Sequence, residues 1–394
     1  MFSVRTYNKI AESGLEILRT AGIEVGPDVE DPDGILVRSA SLHELDFGSK
    51  LKGIARAGAG YNNVPVERCS ESSVVVFNTP GANANSVKEL VIAGLLLSSR
   101  GIIQGVTWAR SLAGKGGELP ALVEKGKSSF AGPEIAGKAL GVVGLGAVGV
   151  MVCNAAEALG MCVIGYDPYL SVESAWGLSR SVRRAESLDP LYAKSDFISL
   201  HAPLNEDTRD MLNADAFSKM KQGVRVLNLA RGGLVDDKAL LAAIENGTVE
   251  SYVTDFPTDE LVANEKVIPV PHLGASTPEA EENCAVMAAR QLRDYLFTGN
   301  IINSVNFPDC QMAPSQNERL VIANRNIPKM VGQITAILAD ENCNILDLLN
   351  RHKGEIAYNI IDVDRRVSPA ALDRMRSING VLMVREVRAS QSTD

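Results

Sequence analysis

Ala139-Leu140-Gly141-Val142-Val143 runs straight into Gly144-Leu145-Gly146-Ala147-Val148-Gly149. A short apolar run suits a strand buried on both faces, and the glycines after it suit a tight strand-to-helix turn. The first glycine allows the turn, the second lets a pyrophosphate approach the backbone, and the third lets the helix pack closely. Amides at the helix start then face the phosphates. The helix runs to about Gly160, and a second strand over 161–166 ends at Asp167. A carboxylate there grips the ribose diol of an adenosine and repels an added 2′-phosphate, so NAD is favoured over NADP. A tight glycine turn in a packed sheet is the plainer reading, and the strand, the helix and Asp167 together oppose it.

Downstream, strands are predicted at 197–201, 224–228, 252–254 and 267–270, with helices filling several intervals, as in a doubly wound sheet. Upstream, 34–39, 53–60 and 73–80 each read as an apolar strand ending in small or polar residues. Such strands suit a parallel sheet with its functional edge at the carboxyl ends. Ser86, with Glu89 as capping-box partner, is expected to cap a helix before the apolar run 90–97. The Gly-, Lys- and Ser-rich stretch 111–137 is expected to cap or flank the next domain. A long helix over 278–297 and a polar connection lead to a βαββαβ pattern from 319 onward, an α+β unit behind the α/β body.

A chain of 394 residues exceeds what one core usually holds, so two or three domains are expected. A net charge of −9 argues against nucleic acid or an anionic membrane as partner. Cysteines 69, 153, 162, 284, 310 and 343 are scattered without a C-x-x-C, so no metal site is expected and buried thiols in a reducing compartment are. The first residues lack the apolar stretch of a signal peptide, and 90–97 is too short to span a bilayer. The cytoplasm is the expected location.

Of four histidines, His272 lies in Pro271-His272-Leu273-Gly274-Ala275-Ser276-Thr277, just past a predicted strand. A lone histidine is often structural. Oxidation of a hydroxy acid, however, needs a group that takes the alcohol proton as hydride leaves, and imidazole titrates near operating pH. Arg231, in Asn228-Leu229-Ala230-Arg231-Gly232-Gly233, suits a two-pronged grip on a carboxylate, with a surface ion pair as the plainer alternative. Glu260 is a carboxylate able to orient and tune an imidazole, although Thr258-Asp259-Glu260 also reads as a polar turn. His201 is a weaker rival at another strand end, while His43 and His352 have no such setting.

With Arg56-Ala57-Gly58-Ala59-Gly60 added to these motifs, the chain resembles the D-isomer-specific 2-hydroxyacid dehydrogenases over nearly its whole length. In that family the arginine of Ala-Arg-Gly-Gly, a glutamate 29 residues later and the histidine of Pro-His-x-Gly form the catalytic set, which falls here on Arg231, Glu260 and His272. The resemblance implies that His272 is the acid/base, Glu260 tunes it, and Arg231 engages the substrate carboxylate and reacting oxygen. It also implies NAD contacts at Gly144, Gly146, Ala147, Val148, Gly149, Asp167, Ala202, Leu229, Ala230, Arg231, Asp255, His272, Gly274 and Ala275, with Asp255 near the nicotinamide carboxamide. Ala59 and Ala202 stand where relatives often have threonine, and Ala147 where arginine is frequent. The loop 255–261 lacks the usual Glu-Pro, and Glu260 lies only 12 positions before His272.

The implied substrate residues are Arg38, Ser39, Arg56, Ala57, Gly58, Asn83 and Arg231. The implied reaction is oxidation of 3-phospho-D-glycerate to 3-phosphooxypyruvate, the first step of phosphorylated L-serine synthesis, with Arg38 or Arg56 meeting the phosphate. Turnover of glycerate, hydroxypyruvate or glyoxylate is the alternative within the enzyme class, and a non-catalytic NAD-sensing scaffold the alternative outside it. The implied fold has two Rossmann-like doubly wound domains. A discontinuous substrate domain (1–98 and 282–310) holds the NAD-binding domain (99–281) as an insertion, with the active site in their cleft. The 319–394 unit resembles an ACT regulatory domain. An L-serine site would fall on Asn324, Asn326 and Asn344, with Asn324 in place of a histidine and Ile327-Pro328-Lys329 in place of an Arg-Pro-Gly turn. A homodimer through the nucleotide domain is implied, extended to a homotetramer if terminal modules pair. Lys127 aligns with an arginine that some relatives lend to a second subunit.

Overall fold

The computed structural model describes residues 1–387. The last seven residues of the expected 319–394 module lie outside the described residues.

Two sheets are wholly parallel and one is antiparallel. The first comprises β1 (Ser3–Tyr7), β2 (Glu24–Gly26), β3 (Gly34–Val37), β4 (Gly53–Arg56) and β5 (Val75–Phe77), in spatial order β2–β1–β3–β4–β5. Every residue of β3 and β5 is buried, which is why those runs read as unbroken hydrophobic stretches. The first and second strands escape a pattern reading because β1 is only half-buried and β2 is three residues long.

The second sheet comprises β6 (Ala139–Val143), β7 (Cys162–Tyr166), β8 (Arg183–Arg184), β9 (Phe197–Leu200), β10 (Val224–Asn228), β11 (Val249–Thr254) and β12 (Val267–Pro269). Its order, β12–β11–β10–β9–β6–β7–β8, reverses direction beside β6. Ligands of doubly wound sheets bind at the carboxyl ends of the strands at such a reversal. The glycine turn leaves β6 at that point.

The third sheet is antiparallel: β13 (Glu318–Arg325), β14 (Ile345–Lys353), β15 (Ile356–Val363) and β16 (Val381–Val387), in order β14–β15–β13–β16. Alternation sends Leu320, Ile322 and Ile361 against helices Met330–Asp340 and Pro369–Arg376. Val321, Ala323, Tyr358 and Ile360 instead share a core with Tyr295, Leu296 and Phe307. This is an ACT-like sheet between two apolar layers.

By contact density the chain forms two compact units, 1–82 with 281–394, and 83–280. The sequence reading divides it at 98/99 and 281/282 and sets the terminal module apart. Helix Ala84–Ser99 goes with the second unit because Val87, Val91 and Leu95 share a core with Val142, Leu227 and Val253. The terminal sheet goes with the first. There Arg319 pairs with Asp362 at 2.7 Å, both buried, and donates to the carbonyls of Ala313 (2.7 Å) and Thr298 (3.3 Å). Arg385 stacks on the Tyr295 ring, 4.6 Å from its centroid.

Ser86 is not a helix cap. Asn83 takes that place, and Ser86 sits one turn inside with its hydroxyl buried and donated to the carbonyl of Gly274. Within 111–137 and just before it, helices Ile102–Ser111 and Leu119–Gly126 bury no residue. Among the described residues no single helix is long and apolar enough to cross a membrane, and no His/Cys/Asp/Glu group has metal-binding geometry. Five of the six thiols are buried and all six are unbridged, and burial pushes those of Cys69, Cys153 and Cys310 up to about 12.

Candidate functional site

Gly144 has a φ of +92°, and a Cβ there would lie 2.7 Å from the His201 backbone. A Cβ on Gly149 would lie 1.9 Å from the Gly144 carbonyl oxygen. Helix Ala147–Ala158 starts at Gly146 with no side-chain cap, so the first amides, through Ala147, Val148 and Gly149, have no local acceptor and suit an anion. Asp167 accepts the Leu145 amide on Oδ2 and the Tyr169 amide on Oδ1, each at 2.8 Å. Beside it lies a cavity of about 300 Å³ lined by Leu145, Asp167, Pro168, Arg183 and Arg184 among others. Uncapped amides, a glycine-walled approach and an adjacent carboxylate fit a dinucleotide: its pyrophosphate at the helix start, its ribose at Asp167. Ala202 and Leu229 are buried at the ends of neighbouring strands, with Ala230 half-buried after Leu229.

His201 lies under the glycine turn with its Nε2 2.9 Å from the Ser199 hydroxyl. Burial pulls its imidazole down to about 4. It is therefore neutral near pH 7 and is a poor proton donor there.

Asn228 shapes the arginine turn. It is buried at the end of β10, donates to the Arg231 carbonyl at 2.9 Å and accepts the amides of Ala230 (3.3 Å) and Arg231 (3.4 Å). Arg231 is exposed, with Nη1 on the Ala230 carbonyl at 2.7 Å. The sequence marks Asn228 only as the first residue of the arginine motif, with no role of its own.

Past β12, His272 is exposed and has a φ of +52°, left-handed backbone that disfavours a residue with a Cβ. Its ring meets Phe256 edge-on at 5.0 Å, and its amide donates to the Val270 carbonyl at 2.9 Å. Asp255, which follows β11, is 3% exposed and accepts the amides of Leu273 (3.0 Å) and Gly274 (2.8 Å) on its two oxygens. Ala275 follows, half-buried. Glu260 is exposed on the short helix Asp259–Val262 and makes no hydrogen bond or ion pair with His272. Its charge also acts on Asp237, whose carboxyl is pushed up first by burial and then by Glu260, Asp236 and Asp210, against a hydrogen bond from Thr258.

In the first unit, Arg38 and Arg56 leave the carboxyl ends of adjacent strands β3 and β4, where Val37 is paired with Arg56. Arg56 Nε donates to the Arg38 carbonyl at 2.9 Å, and its guanidinium lies against Gly58. Arg38 is also ion-paired with Glu281 at 2.7 Å. The Ser39 amide donates to Asn8 at 3.0 Å, and buried Ala57 donates to the Val37 carbonyl at 2.8 Å. Burial pushes the nearby Cys284 thiol up, against the neighbouring Thr79 hydroxyl and the charges of Arg56 and Arg38. Asn83 belongs to the second unit, and Lys127 there is ion-paired with Glu124 at 2.5 Å.

The three terminal asparagines are not alike. Asn324 is 1% exposed and joined in a chain of amides: Asn350 donates to Asn359 (2.6 Å), and Asn359 donates to Asn324 (2.8 Å). Asn326 and Asn344 are exposed. Lys329 takes the left-handed conformation, with a φ of +72°.

Residues 92–274 match the family model for the D-isomer specific 2-hydroxyacid dehydrogenase NAD binding domain. Over 98% of its length the chain is 31% identical to D-3-phosphoglycerate dehydrogenase of Methanocaldococcus jannaschii, covering 75% of that protein. The chain belongs to the D-isomer-specific 2-hydroxyacid dehydrogenases. It spans 55–63% of the length of seven further curated relatives of the same name. Among solved structures, NAD+-bound 3-phosphoglycerate dehydrogenase of Entamoeba histolytica aligns with a TM-score of 0.61 and 29% identity, over 77% of this chain and 98% of that one. A glyoxylate reductase from Paecilomyes thermophila aligns with a TM-score of 0.64 and 25% identity, over 77% and 98% respectively. As a member of this family the protein is an NAD-dependent D-2-hydroxyacid oxidoreductase.

Proposed function

We propose that the protein oxidises 3-phospho-D-glycerate to 3-phosphooxypyruvate, opening phosphorylated L-serine synthesis. The observation that carries this reading is the pair of arginines on adjacent strand ends, Arg38 and Arg56, with Arg56 anchored on the Arg38 backbone. A phosphate dianion is costly to desolvate without such cations, and guanidinium forks match its oxygens. The name of the M. jannaschii relative supports the same choice. NAD, held at the glycine turn and Asp167, would supply the acceptor for the C2 hydride when bound. His272 takes the C2 hydroxyl proton and returns it in the reverse direction. Arg231 holds the carboxylate and polarises the reacting oxygen, and Glu260 favours the protonated imidazole.

Initial rates for 3-phospho-D-glycerate, D-glycerate, hydroxypyruvate and glyoxylate, in the appropriate directions with NAD(H) and NADP(H), test the assignment. Higher kcat/KM for D-glycerate than for its 3-phosphate overturns it. The Arg38–Glu281 ion pair favours the second reading, an unphosphorylated acid, because it already gives one of the two cations a carboxylate partner. Arg56→Ala separates the two: it should depress kcat/KM for the phosphorylated substrate far more than for D-glycerate.

The protein is further proposed to act in the cytoplasm as a homodimer joined through 102–130, where Ile103 and Val106 are 44% and 47% exposed on a helix that buries no residue. For the terminal module we propose a weak response to L-serine through Asn326 and Asn344, since Asn324 is already engaged inside the sheet. A serine titration of activity with N344A as control tests it. Equal activity at millimolar serine and without it leaves the module to assembly.

A further inference from the structure

We infer that Asp255 is the positioning residue of the catalytic turn: it holds His272 in place by binding the two main-chain amides that follow it. This rests on the proposal that His272 is the acid/base. The turn carries an intrinsic conflict. Residue 272 must have a side chain to move a proton, yet its φ of +52° is backbone that glycine tolerates best. Something outside the turn has to maintain that conformation.

Three side chains do so. Asp255 Oδ1 accepts from Leu273 at 3.0 Å and Oδ2 accepts from Gly274 at 2.8 Å, so one carboxylate spans consecutive peptide units. From the opposite side of the same peptide chain, the buried Ser86 hydroxyl donates to the Gly274 carbonyl. The Phe256 ring, next in sequence to Asp255, meets the imidazole edge-on. Asp255 itself is fixed at the strand end, its amide donating to the Asn228 carbonyl at 3.2 Å. Asn228 is the same residue that shapes the Arg231 turn. Asp255 is 3% exposed and has no ion-pair partner among the described residues, so its charge is met by main-chain dipoles. A Cβ on Gly274 would lie 2.9 Å from Oδ2, which leaves no room for a side chain there.

A contact with the nicotinamide carboxamide would use a remaining lone pair of Asp255 and is a separate role. The two roles make different predictions. Asp255→Asn is nearly isosteric but keeps only one acceptor oxygen for the two amides, and Ser86→Ala loosens the turn from its other side. If Asp255 positions His272, D255N should lower kcat at saturating NAD about 10- to 100-fold, as expected when a reacting group is displaced by about 1 Å. It should also speed hydrogen exchange at the Leu273 and Gly274 amides in the cofactor-free protein and alter the pH profile of kcat. S86A should do the same to a lesser degree, and NADH affinity by calorimetry should stay within about threefold in both. Wild-type kcat and wild-type exchange in D255N, with NADH affinity alone reduced, would overturn the inference and leave Asp255 a cofactor contact. His272→Ala keeps the two readings apart. If H272A retains wild-type kcat, the acid/base assignment fails, and the exchange rates of 273 and 274 in D255N still decide whether Asp255 holds the turn.

Discussion

Two turns leave parallel strands of the same sheet and solve one backbone problem in opposite ways. After β6 the left-handed position is a glycine, Gly144, and after β12 it is a histidine, His272. In both, an aspartate following an adjacent strand grips the turn's amides: Asp167 takes Leu145, and Asp255 takes Leu273 and Gly274. The glycine turn needs one such bond because its conformation is nearly strain-free. The histidine turn carries roughly 1–2 kcal/mol of left-handed strain. Two charge-assisted bonds, each on the order of 1.5–3 kcal/mol, offset it. The chain therefore uses a permissive residue after β6 and external restraint after β12, where the acid/base role proposed for His272 requires a side chain.

The strongest way to break this contrast is to remove the acting side chain. His272→Ala should reduce kcat by roughly 10²–10⁴ while leaving NADH affinity near wild type. Steady-state kinetics beside calorimetry checks it, and a parallel loss of NADH binding would show that the turn serves the cofactor instead. The reciprocal change is Gly149→Ala, whose Cβ would have to displace the Gly144 carbonyl 1.9 Å away. It should destabilise the fold by about 3 kcal/mol, the upper part of the usual range for overpacking, and weaken NADH. A wild-type urea midpoint would show that this approach relaxes freely.

Acid sharpens the comparison next, because the residue whose backbone lies against Gly144 is a histidine, His201. Its folded value of about 4 lies below the ordinary 6.5, so the neutral form is favoured by folding. The contribution is complete above pH 6.5. It is lost as pH falls toward 4, where the unfolded chain takes up a proton that the folded chain refuses. At pH 4.5 the loss should reach roughly 2–3 kcal/mol. Urea titrations at pH 7 and 4.5 should show a smaller acid penalty in His201→Gln than in wild type, and equal penalties would refute the assignment to His201.

A smaller effect is expected from Asp167→Ala. Losing the ribose acceptor and its charge should weaken NADH about tenfold and narrow the preference over NADP, in line with the worth of a charged hydrogen bond. An unchanged kcat/KM ratio for the two cofactors would place specificity elsewhere, with Arg183 and Arg184 in the same cavity the next residues to test. The smallest change is a control far from either turn. Lys329 is left-handed without any side-chain cap on the helix it precedes, so Lys329→Gly should raise stability by about 1 kcal/mol or less, strain relief being partly cancelled by added freedom in the unfolded chain. A lower Tm would mean that the lysine makes a compensating contact.

The sequence by itself determined the alternation of strands and helices, the glycine turn with its carboxylate one strand later, and the two strand-end arginines. These are local: a buried strand needs a continuous apolar run, and a tight turn needs residues that tolerate its backbone. It also marked Arg231, Glu260 and His272, through a resemblance carried by short motifs. Tertiary structure decided the rest, because it depends on which distant segments meet. Ser86 reads as a cap and becomes a restraint on a carbonyl 188 residues away. Asn324 reads as a candidate ligand contact, and in the fold its amide oxygen accepts from Asn359 on the neighbouring strand. Glu260 reads as a carboxylate able to tune His272, and the fold also sets its charge against Asp237. Asp255 reads as a cofactor contact, and in the fold its two oxygens also accept the amides of Leu273 and Gly274. A polar side chain announces only that it needs a partner, and packing alone chooses which one it finds.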